Sequence, residues 1–260
     1  MGAVPAAYLA AAEQAAAISG AVIRPLFRSA LLVEAKGDAS PVTAADKGAE
    51  RAIREFLAKI LPEHGIWGEE YGPERVDAEW VWVLDPIDGT RAFVTGRPLF
   101  GTLIALLHKG VPVLGIIDQP VTGERWTGVS GEATRFASSM GGQPHCRPCA
   151  RLAEAELSCT APDLFAEGDR PRFDRLRRAA RRVTWGGDCY GYGLIALGLV
   201  DIVAESGLKP WDWAALVPVI EGAGGRVTDW AGAPLQLGAA GDVLAVGDPA
   251  LQAEAIALLR

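Results

Sequence analysis

Residues 80–90 read WVWVLDPIDGT, an apolar run followed directly by two aspartates three residues apart. The apolar part predicts a strand over residues 80–84 that ends at Asp85. Pro86 fixes its own φ, and Gly89 has no Cβ, so the backbone can approach a ligand closely there. Carboxylates on one rigid turn are the oxygen ligands that Mg²⁺ prefers, and such a pair can bridge two ions. A plain β-turn also favours Asp and Gly, so these residues alone leave both interpretations open.

Three more acidic positions extend the metal hypothesis beyond that turn. Glu69 follows a short apolar stretch, and Asp212 comes after Trp211 at the start of an apolar helix. An aspartate near a helix N-terminus is electrostatically favourable in its own right. Asp46 likewise completes a capping box with Thr43 at the start of a predicted helix. Metal binding by Glu69 and Asp212, and a catalytic duty for Asp46, therefore stay open beside these structural roles.

Composition sets limits on partners and location. The chain has 260 residues, half of them apolar, and a formal net charge of −7. An acidic protein is a poor general nucleic-acid binder, because phosphate backbones select basic faces. The most apolar internal run, residues 101–117, is interrupted by His108, Lys109 and Pro112, which argues against a membrane span. The alanine-rich N-terminal stretch of the chain shows no secretion signal, so we expect a cytoplasmic protein with reduced cysteines.

The order of predicted elements indicates an α/β layered fold with two halves. Helical periodicity covers residues 5–28 and 43–61, a strand meander follows, and helices alternate with strands after a Gly- and Pro-rich stretch. We place an N-terminal α+β half, which carries most of the candidate metal ligands, at residues 1–145. A C-terminal α/β half at residues 146–260 carries Asp212 and the expected substrate-specificity wall.

Five short motifs follow one another along nearly the whole chain. They are Lys36-Gly37-Asp38, Pro41-Val42-Thr43 through Asp46, Gly68-Glu69-Glu70, Asp85-Pro86-Ile87-Asp88-Gly89-Thr90, and Trp211-Asp212 leading into Gly222-Ala223-Gly224-Gly225. In this order they resemble the inositol monophosphatase-like phosphatases, and the hexapeptide with the Gly-rich ending is the most specific part. The resemblance implies a phosphoric monoester hydrolase, a five-layered αβαβα sandwich of the inositol monophosphatase and fructose bisphosphatase type, a homodimer, and two or three Mg²⁺ ions per active site.

The resemblance also implies a role for each motif residue. Glu69, Asp85 and the Ile87 carbonyl would hold one metal, Asp85, Asp88 and Asp212 a second, and Glu69 would reach a third through water. Thr90 would pair with Asp46 to orient the nucleophilic water, so that Glu69, Thr90 and Asp46 form the catalytic set. The amides of Gly89 and Thr90, at the start of a short helix, would hold phosphate oxygens beside Asp88.

Charge accounting agrees with this hypothesis. Two Mg²⁺ ions balance the four candidate metal carboxylates, and a third offsets a phosphate dianion, so an acidic protein can bind an anionic substrate. The expected chemistry is in-line attack of water on phosphorus, with metal ions lowering the pKa of that water and stabilising the leaving alkoxide. Phosphoryl transfer depends on positioning and charge neutralisation, so the cysteines and histidines need no role. A small phosphate monoester is the expected substrate.

Two stretches, residues 186–192 (GGDCYGY) and 205–210 (ESGLKP), are expected to form the pocket wall. With Arg91 after the hexapeptide, they resemble the histidinol-phosphate phosphatase branch. Histidinol phosphate carries an ammonium and an imidazole, which the acids Asp188 and Glu205 would complement while a tyrosine of the first stretch covers the ring. Glu205 also sits where inositol-using relatives bind hydroxyls, so it does not discriminate. The sequence thus predicts L-histidinol-phosphate hydrolysis in histidine biosynthesis. The alternatives are an inositol-1-monophosphatase or broad sugar-phosphate phosphatase, and a non-catalytic metal-binding regulatory relative.

Overall fold

The computed structural model describes residues 4–29, 33–35 and 41–260, with side chains at 4–29 and 44–260. Within that part, the α-helices are α1 (Ala6–Ile23), α2 (Ala44–Ile60), α3 (Thr90–Val94), α4 (Arg170–Ala179), α5 (Asp188–Ala196), α6 (Pro210–Trp213), α7 (Leu216–Gly222) and α8 (Gln252–Leu259). Short 3₁₀ helices cover Arg24–Leu26, Leu152–Glu154, Pro162–Leu164 and Pro249–Leu251. The motif at Lys36-Gly37-Asp38 and the proposed Thr43 side-chain cap lie outside the described residues.

The strands form one short hairpin and two larger sheets. They are β1 (Val33–Ala35), β2 (Pro41–Thr43), β3 (Gly65–Gly68), β4 (Gly72–Glu74), β5 (Trp80–Asp88), β6 (Gly101–His108), β7 (Val111–Gln119), β8 (Glu124–Val129), β9 (Arg135–Ala137), β10 (Glu156–Cys159), β11 (Arg182–Trp185), β12 (Ile202–Glu205), β13 (Arg226–Thr228) and β14 (Val243–Val246). The larger sheet has the order β4-β3-β5-β6-β7-β8-β9, and the smaller one β11-β10-β12-β14-β13.

The predicted meander forms the centre of the larger sheet. Strands β5 to β9 pair antiparallel in sequence order, and β3 adds in parallel beside β5. Lys109 and Gly110 join β6 to β7 with φ angles of 52° and 81°. Positive φ at both central residues matches the right-handed twist of a hairpin, so this pair confirms the predicted turn.

Three hydrophobic clusters separate five layers, which confirms the expected αβαβα sandwich. The first cluster lies between the α1–α2 layer and the larger sheet. The second joins the other face of that sheet to α5, α6, α7 and the smaller sheet. The third covers the far face of the smaller sheet with α4 and α8. Because the second cluster draws residues from both predicted halves, the halves pack against each other, and the boundary at residue 145 stays a prediction.

Helix α7 lies unusually close to the larger sheet. A Cβ on Gly115 of β7 would come within 2.0 Å of the Ala215 carbonyl oxygen, and one on Gly128 of β8 within 2.3 Å of the Pro218 carbonyl group. Such distances are too short for any side chain, so helix backbone rests directly on strand backbone. This seam fixes the position of the α6–α7 segment, which begins two residues before Asp212.

The helical segment Ala6–Leu26 has the length and apolar composition of a membrane span. In the structure, however, Ala12, Ala15, Ala16 and Ile23 are completely buried. They pack against α2 and the larger sheet, which is how a core helix behaves. The lack of a membrane span stays a prediction that this packing favours.

The basic stretch after Pro171 is shorter as a helix than its sequence suggests. We expected helix over residues 172–182, but α4 ends at Ala179 and Arg182 begins β11. Residues 182–185 pair in parallel with β10 at the edge of the smaller sheet. Sheet pairing here overrides the helix propensity of arginine and alanine.

Candidate active site

Strand β5 is longer than predicted and includes the first four residues of the hexapeptide at 85–90. We expected the strand to end at Asp85, but β5 continues to Asp88 with a register irregularity between these two residues. Pro86 fits there because an irregular ladder does not require its missing N–H. The Ile87 N–H donates to Asp85 Oδ1 at 3.0 Å. Gly89 then takes φ +89°, and α3 begins at the next residue as the sequence predicts.

Asp212 caps a helix and also lies in a cluster of three carboxylates, while its predicted role as a metal ligand stays a prediction. Its Oδ2 accepts a hydrogen bond from the Lys209 N–H at 2.6 Å, which caps α6. At the same time Asp85, Asp88 and Asp212 each offer a carboxylate oxygen, and these three oxygens lie within 4.8 Å of one another. The fold therefore brings together carboxylates that are far apart in the sequence.

The electrostatics of this cluster are strongly unfavourable to negative charge. Burial first, and then the charges of Glu69 and Asp88, raise the pKa of Asp85 well above its usual range. Burial and the charge of Asp188 do the same to the pKa of Asp88. Burial raises the pKa of Asp212 to about 7, with Glu69 adding to the effect. Like charges held together away from water are stabilised by a cation between them.

Glu69 and Asp46 lie close enough to act on the same cluster. Glu69 follows β3, is half-buried, and its N–H donates to the Leu84 carbonyl at 3.2 Å. Asp46 is fully buried in the first turn of α2, and its charge also contributes to the raised pKa of Asp85. The Thr90 hydroxyl donates to the Ile87 carbonyl at 3.1 Å. A direct pairing of Thr90 with Asp46 stays a prediction.

The donor set of the cluster fits a hard divalent cation. All three members are carboxylates, and the described residues of the cluster offer neither sulfur nor imidazole. Mg²⁺ binds oxygen ligands and is commonly held by a few carboxylates while substrate phosphate and water complete its shell. The residues present therefore fit the metal that the resemblance implies.

A cavity opens beside the carboxylate cluster. It holds about 600 Å³ of empty space, a figure that includes its open mouth. Its wall consists of Asp88, Cys159, Thr160, Ala161, Leu164, Phe165, Asp188, Cys189, Tyr192, Glu205, Ser206, Leu208 and Asp212. The predicted acids Asp188 and Glu205 are both in this wall. Arg91 is exposed and acts on Asp188 through its charge, as does Arg97, which the sequence did not single out.

Asp188 occupies a strained position at the first turn of α5. Its φ is +43°, a left-handed conformation that is uncommon for a residue with a Cβ. The next residue donates its N–H to Asp88 Oδ2 at 2.5 Å, so the start of α5 is bonded to the carboxylate cluster. Burial first, and then the charge of Glu205, raise the pKa of Asp188 to about 6.

Glu205 is buried and held by uncharged donors. Its Oε1 accepts from the Thr160 N–H at 2.6 Å, and its Oε2 accepts from the Tyr192 hydroxyl at 2.9 Å. Burial raises the pKa of Glu205. The other candidate tyrosine, Tyr190, donates to Glu124 at 2.8 Å and is not part of the cavity wall. Sequence reasoning missed Thr160, because a threonine after a short strand carries no distinctive signal.

The layered fold and the carboxylate cluster beside a small cavity are those of metal-dependent phosphatases that act on small phosphorylated compounds. The chain belongs to the inositol monophosphatase family of phosphoric monoester hydrolases, whose family description matches residues 5–260. This confirms the resemblance that the motifs indicated.

Individual relatives support the assignment. The chain is 51% identical over 216 residues to a chloroplastic protein of Arabidopsis thaliana, "Bifunctional phosphatase IMPL2", covering 82% of this chain and 62% of that protein. It is 41% identical over 202 residues to a histidinol-phosphatase of Mycobacterium tuberculosis, covering 76% of this chain and 77% of the relative. Among solved structures, an inositol monophosphatase from Zymomonas mobilis matches with a TM-score of 0.87 and 48% identity, over 96% of each chain.

Proposed function

We propose that this chain is a Mg²⁺-dependent phosphatase that hydrolyses L-histidinol phosphate, a step of histidine biosynthesis. The observation that supports this choice of substrate is the environment of Glu205. Both of its carboxylate oxygens accept hydrogen bonds from uncharged groups, the Thr160 N–H and the Tyr192 hydroxyl. Among the described residues, no lysine or arginine lines the cavity. The described part of the cavity wall thus gives Glu205 no cationic partner, so a cationic substrate would balance its negative charge. Arg91 and Arg97 already act on Asp188 through their charges.

Histidinol phosphate has the complementary charge pattern. Its phosphate is a dianion, and its other end carries an ammonium and a protonatable imidazole. The cavity wall contains the metal-cluster residues Asp88 and Asp212 together with Asp188 and Glu205. A substrate with an anionic end at the metals and a cationic end at Asp188 and Glu205 would complement the charges at both ends of the cavity. The name of the Mycobacterium tuberculosis histidinol-phosphatase agrees with this proposal.

Glu69, Asp85 and the Ile87 carbonyl would hold one metal ion, and Asp85, Asp88 and Asp212 would hold a second. When bound, two or three Mg²⁺ ions would supply Lewis acidity at the phosphate and lower the pKa of the attacking water. The amides of Gly89 and Thr90, at the start of α3, would bind phosphate oxygens and orient the phosphorus for in-line attack. Asp46 and the Thr90 hydroxyl would orient that water. They would also accept its proton and pass it on.

Inositol 1-phosphate is the second candidate substrate. The Zymomonas mobilis inositol monophosphatase is 48% identical and covers nearly the whole chain, which is a specific reason to keep it. A buried carboxylate such as Glu205 can also accept hydrogen bonds from hydroxyl groups. A broad sugar-phosphate phosphatase would use the same contacts.

The test is phosphate release with Mg²⁺ from L-histidinol phosphate, inositol 1-phosphate, fructose 1,6-bisphosphate and phosphoadenosine phosphate. We expect kcat/KM for histidinol phosphate to exceed the others by about a hundredfold, roughly 2.7 kcal/mol of differential transition-state binding. Glu205→Gln, which keeps the shape but removes the charge, should reduce this preference, while Glu167→Gln at an exposed position should not. Comparable rates across the panel, or a lead for inositol phosphate, would contradict the proposed substrate.

Three further parts of the proposal concern the whole protein. We propose a homodimer in the cytoplasm, with the chain organised as halves at residues 1–145 and 146–260. Burial of α1 in the core supports a location in which this helix is neither cleaved nor inserted in a membrane. Sedimentation equilibrium would test the dimer, and a monomer at micromolar concentration would contradict it.

A further inference from the structure

One part of the cavity wall is apolar and belongs neither to the carboxylate cluster nor to the acids at the other end of the cavity. Ala161, Leu164, Phe165 and Leu208 line the same cavity as Asp188 and Glu205. Three of these four belong to the single segment after Thr160. Their side chains offer no hydrogen bond to a substrate, so they distinguish ligands by shape and polarity.

Phe165 of this segment packs against two buried aromatic residues of the core. The Phe165 ring stacks on Phe173 with a centroid distance of 4.4 Å and an interplanar angle of 22°. It also packs at 6.1 Å from Trp230. Phe173 and Trp230 are both completely buried in the core between the smaller sheet and α4. Phe165 is therefore anchored in a rigid core while its surface contributes to the cavity.

Leu164 is the exposed member of this wall. It ends the 3₁₀ helix Pro162–Leu164, its N–H donates to the Ala161 carbonyl at 3.2 Å, and 49% of its surface is open to solvent. An exposed leucine is ordinary by itself, but this one lies beside an anchored phenylalanine at the mouth of a binding cavity. A ligand in the cavity would cover it and remove apolar surface from water.

We propose that Leu164, together with Phe165 and Leu208, forms an apolar wall that contacts the ring of the substrate and selects a flat heteroaromatic ring over a polyhydroxylated one. This inference rests on the proposed function and names the residues that decide its ring specificity. An imidazole can place its face against these side chains while its nitrogens and the ammonium face Asp188 and Glu205. A polyol has a hydroxyl on every ring carbon, and those that meet the apolar wall lose their hydrogen bonds to water without replacement.

The experiment compares Leu164→Ser with a matched control, Leu199→Ser. Leu199 is an exposed leucine too, with 58% of its surface open to solvent, and it is not in the wall of this cavity. Both variants and the parent protein are assayed with Mg²⁺ on L-histidinol phosphate, on inositol 1-phosphate, and on phosphoethanolamine, which carries an ammonium but no ring. Thermal unfolding of the three proteins shows that each is folded.

We expect Leu164→Ser to lower kcat/KM for histidinol phosphate by about tenfold or more, mainly through KM, the range for lost apolar contact in a pocket. The rates with phosphoethanolamine and inositol 1-phosphate should stay level, and those of Leu199→Ser should match the parent. If the parent prefers histidinol phosphate but Leu164→Ser behaves like Leu199→Ser, or lowers all three substrates equally, the apolar wall is overturned and the proposed function stands. A parent without that preference overturns the proposed function itself.

Discussion

The side chain of Asp188 lies directly against the Cα of Gly89, such that a Cβ at position 89 would be only 3.1 Å from the Asp188 carboxyl carbon. Both residues have positive φ, +89° for Gly89 and +43° for Asp188. The turn that would hold the phosphate therefore touches the acid that would recognise the other end of the substrate. Glycine at position 89 is favoured by the backbone conformation, and a Cβ there would require the Asp188 side chain to shift by a few tenths of an ångström.

Gly89→Ala should consequently reduce activity much more than stability. The added Cβ strains the left-handed backbone and pushes on Asp188, which displaces the phosphate-binding amides. Gly123→Ala is the control, because Gly123 has φ +77° but a Cβ there would meet nothing within 4 Å. Both variants should lose about 1 kcal/mol of unfolding free energy from the backbone alone.

The measurements are thermal unfolding and kcat/KM. Only Gly89→Ala should lose activity, by about a hundredfold, as expected when reacting groups are displaced by a fraction of an ångström to an ångström. Equal activity in the two variants would show that the contact between Gly89 and Asp188 has no role in positioning.

Asp88→Asn tests the metal cluster in a way that does not depend on turnover. Removing one of the three clustered carboxylates should lower activity at least a hundredfold, more than is typical for loss of an outer partner of a metal ligand. It should also weaken the stabilisation by Mg²⁺, which for the parent reaches about 2.7 kcal/mol when Mg²⁺ is at 100 times its Kd. Without Mg²⁺ the variant should be the more stable protein, because like charges repel in the cluster.

The readout is the melting temperature with and without Mg²⁺, and Asp163→Asn at an exposed position serves as control. A Mg²⁺ response of Asp88→Asn as large as that of the parent would place the metal elsewhere.

Tyr192→Phe addresses how Glu205 is positioned. The change removes the hydroxyl that donates to Glu205 Oε2 at 2.9 Å and leaves the aromatic ring in place. Since one hydrogen bond to a charged group contributes about 1.5 kcal/mol, kcat/KM for histidinol phosphate should fall about tenfold, with KM raised and kcat nearly unchanged.

Tyr190→Phe is a close control, because its hydroxyl bonds to Glu124 outside the cavity wall. Steady-state kinetics should separate the two variants. An equal loss in both, or a loss of kcat with unchanged KM, would argue that Tyr192 supports the fold rather than substrate binding.

His64 should make stability depend on pH away from the active site. Its ring is almost fully buried, and its Nδ1 accepts a hydrogen bond from Trp82 Nε1 at 3.1 Å. Burial lowers the pKa of His64, against a smaller opposite effect of Glu63. The unfolded chain thus binds a proton more readily than the folded one, so stability is present above pH 6.5 and falls as the pH drops below it.

His64→Gln should therefore flatten the dependence of unfolding free energy on pH between 7 and 5, by at most about 1.4 kcal/mol per pH unit. His145→Gln, at an exposed histidine, should leave the slope as in the parent. Urea unfolding at several pH values with Mg²⁺ present gives the slopes. Identical slopes in all three proteins would mean that His64 does not contribute.

The strand that runs into the Asp85–Asp88 turn was predictable from the sequence, while the ligand and catalytic roles of these residues stay predictions. The spacing of Asp85 and Asp88 follows from an apolar strand that runs into a Pro- and Gly-containing turn, whereas the helix start after Gly89 was implied only by the family resemblance. The meander of β5 to β8 was also accessible, because alternating apolar runs and the Lys109-Gly110 turn encode it directly.

What the sequence could not supply depends on contacts between distant segments. Asp212 reaches the cluster because α7 rests on Gly115 and Gly128, and residue periodicity does not encode such close approach. The bonds that hold Glu205 come from Thr160 and Tyr192, on two other elements. We made no prediction for the residues after Thr160, and their place in the cavity wall follows from the structure.

The close contact of α7 with Gly115 and Gly128 of the larger sheet makes the site sensitive to the distance between these two layers. Asp85 and Asp88 belong to that sheet, while Asp212 belongs to the helical segment lying on it. The spacing of the cluster is thus set by the thickness of one layer contact, with no flexible side chains in between to absorb a change. A single methyl group added at Gly115 or Gly128 would push the helical segment that carries Asp212 away from the strand that carries Asp85 and Asp88. A larger residue at either glycine would therefore alter the distances among Asp85, Asp88 and Asp212 without contacting any of these carboxylates.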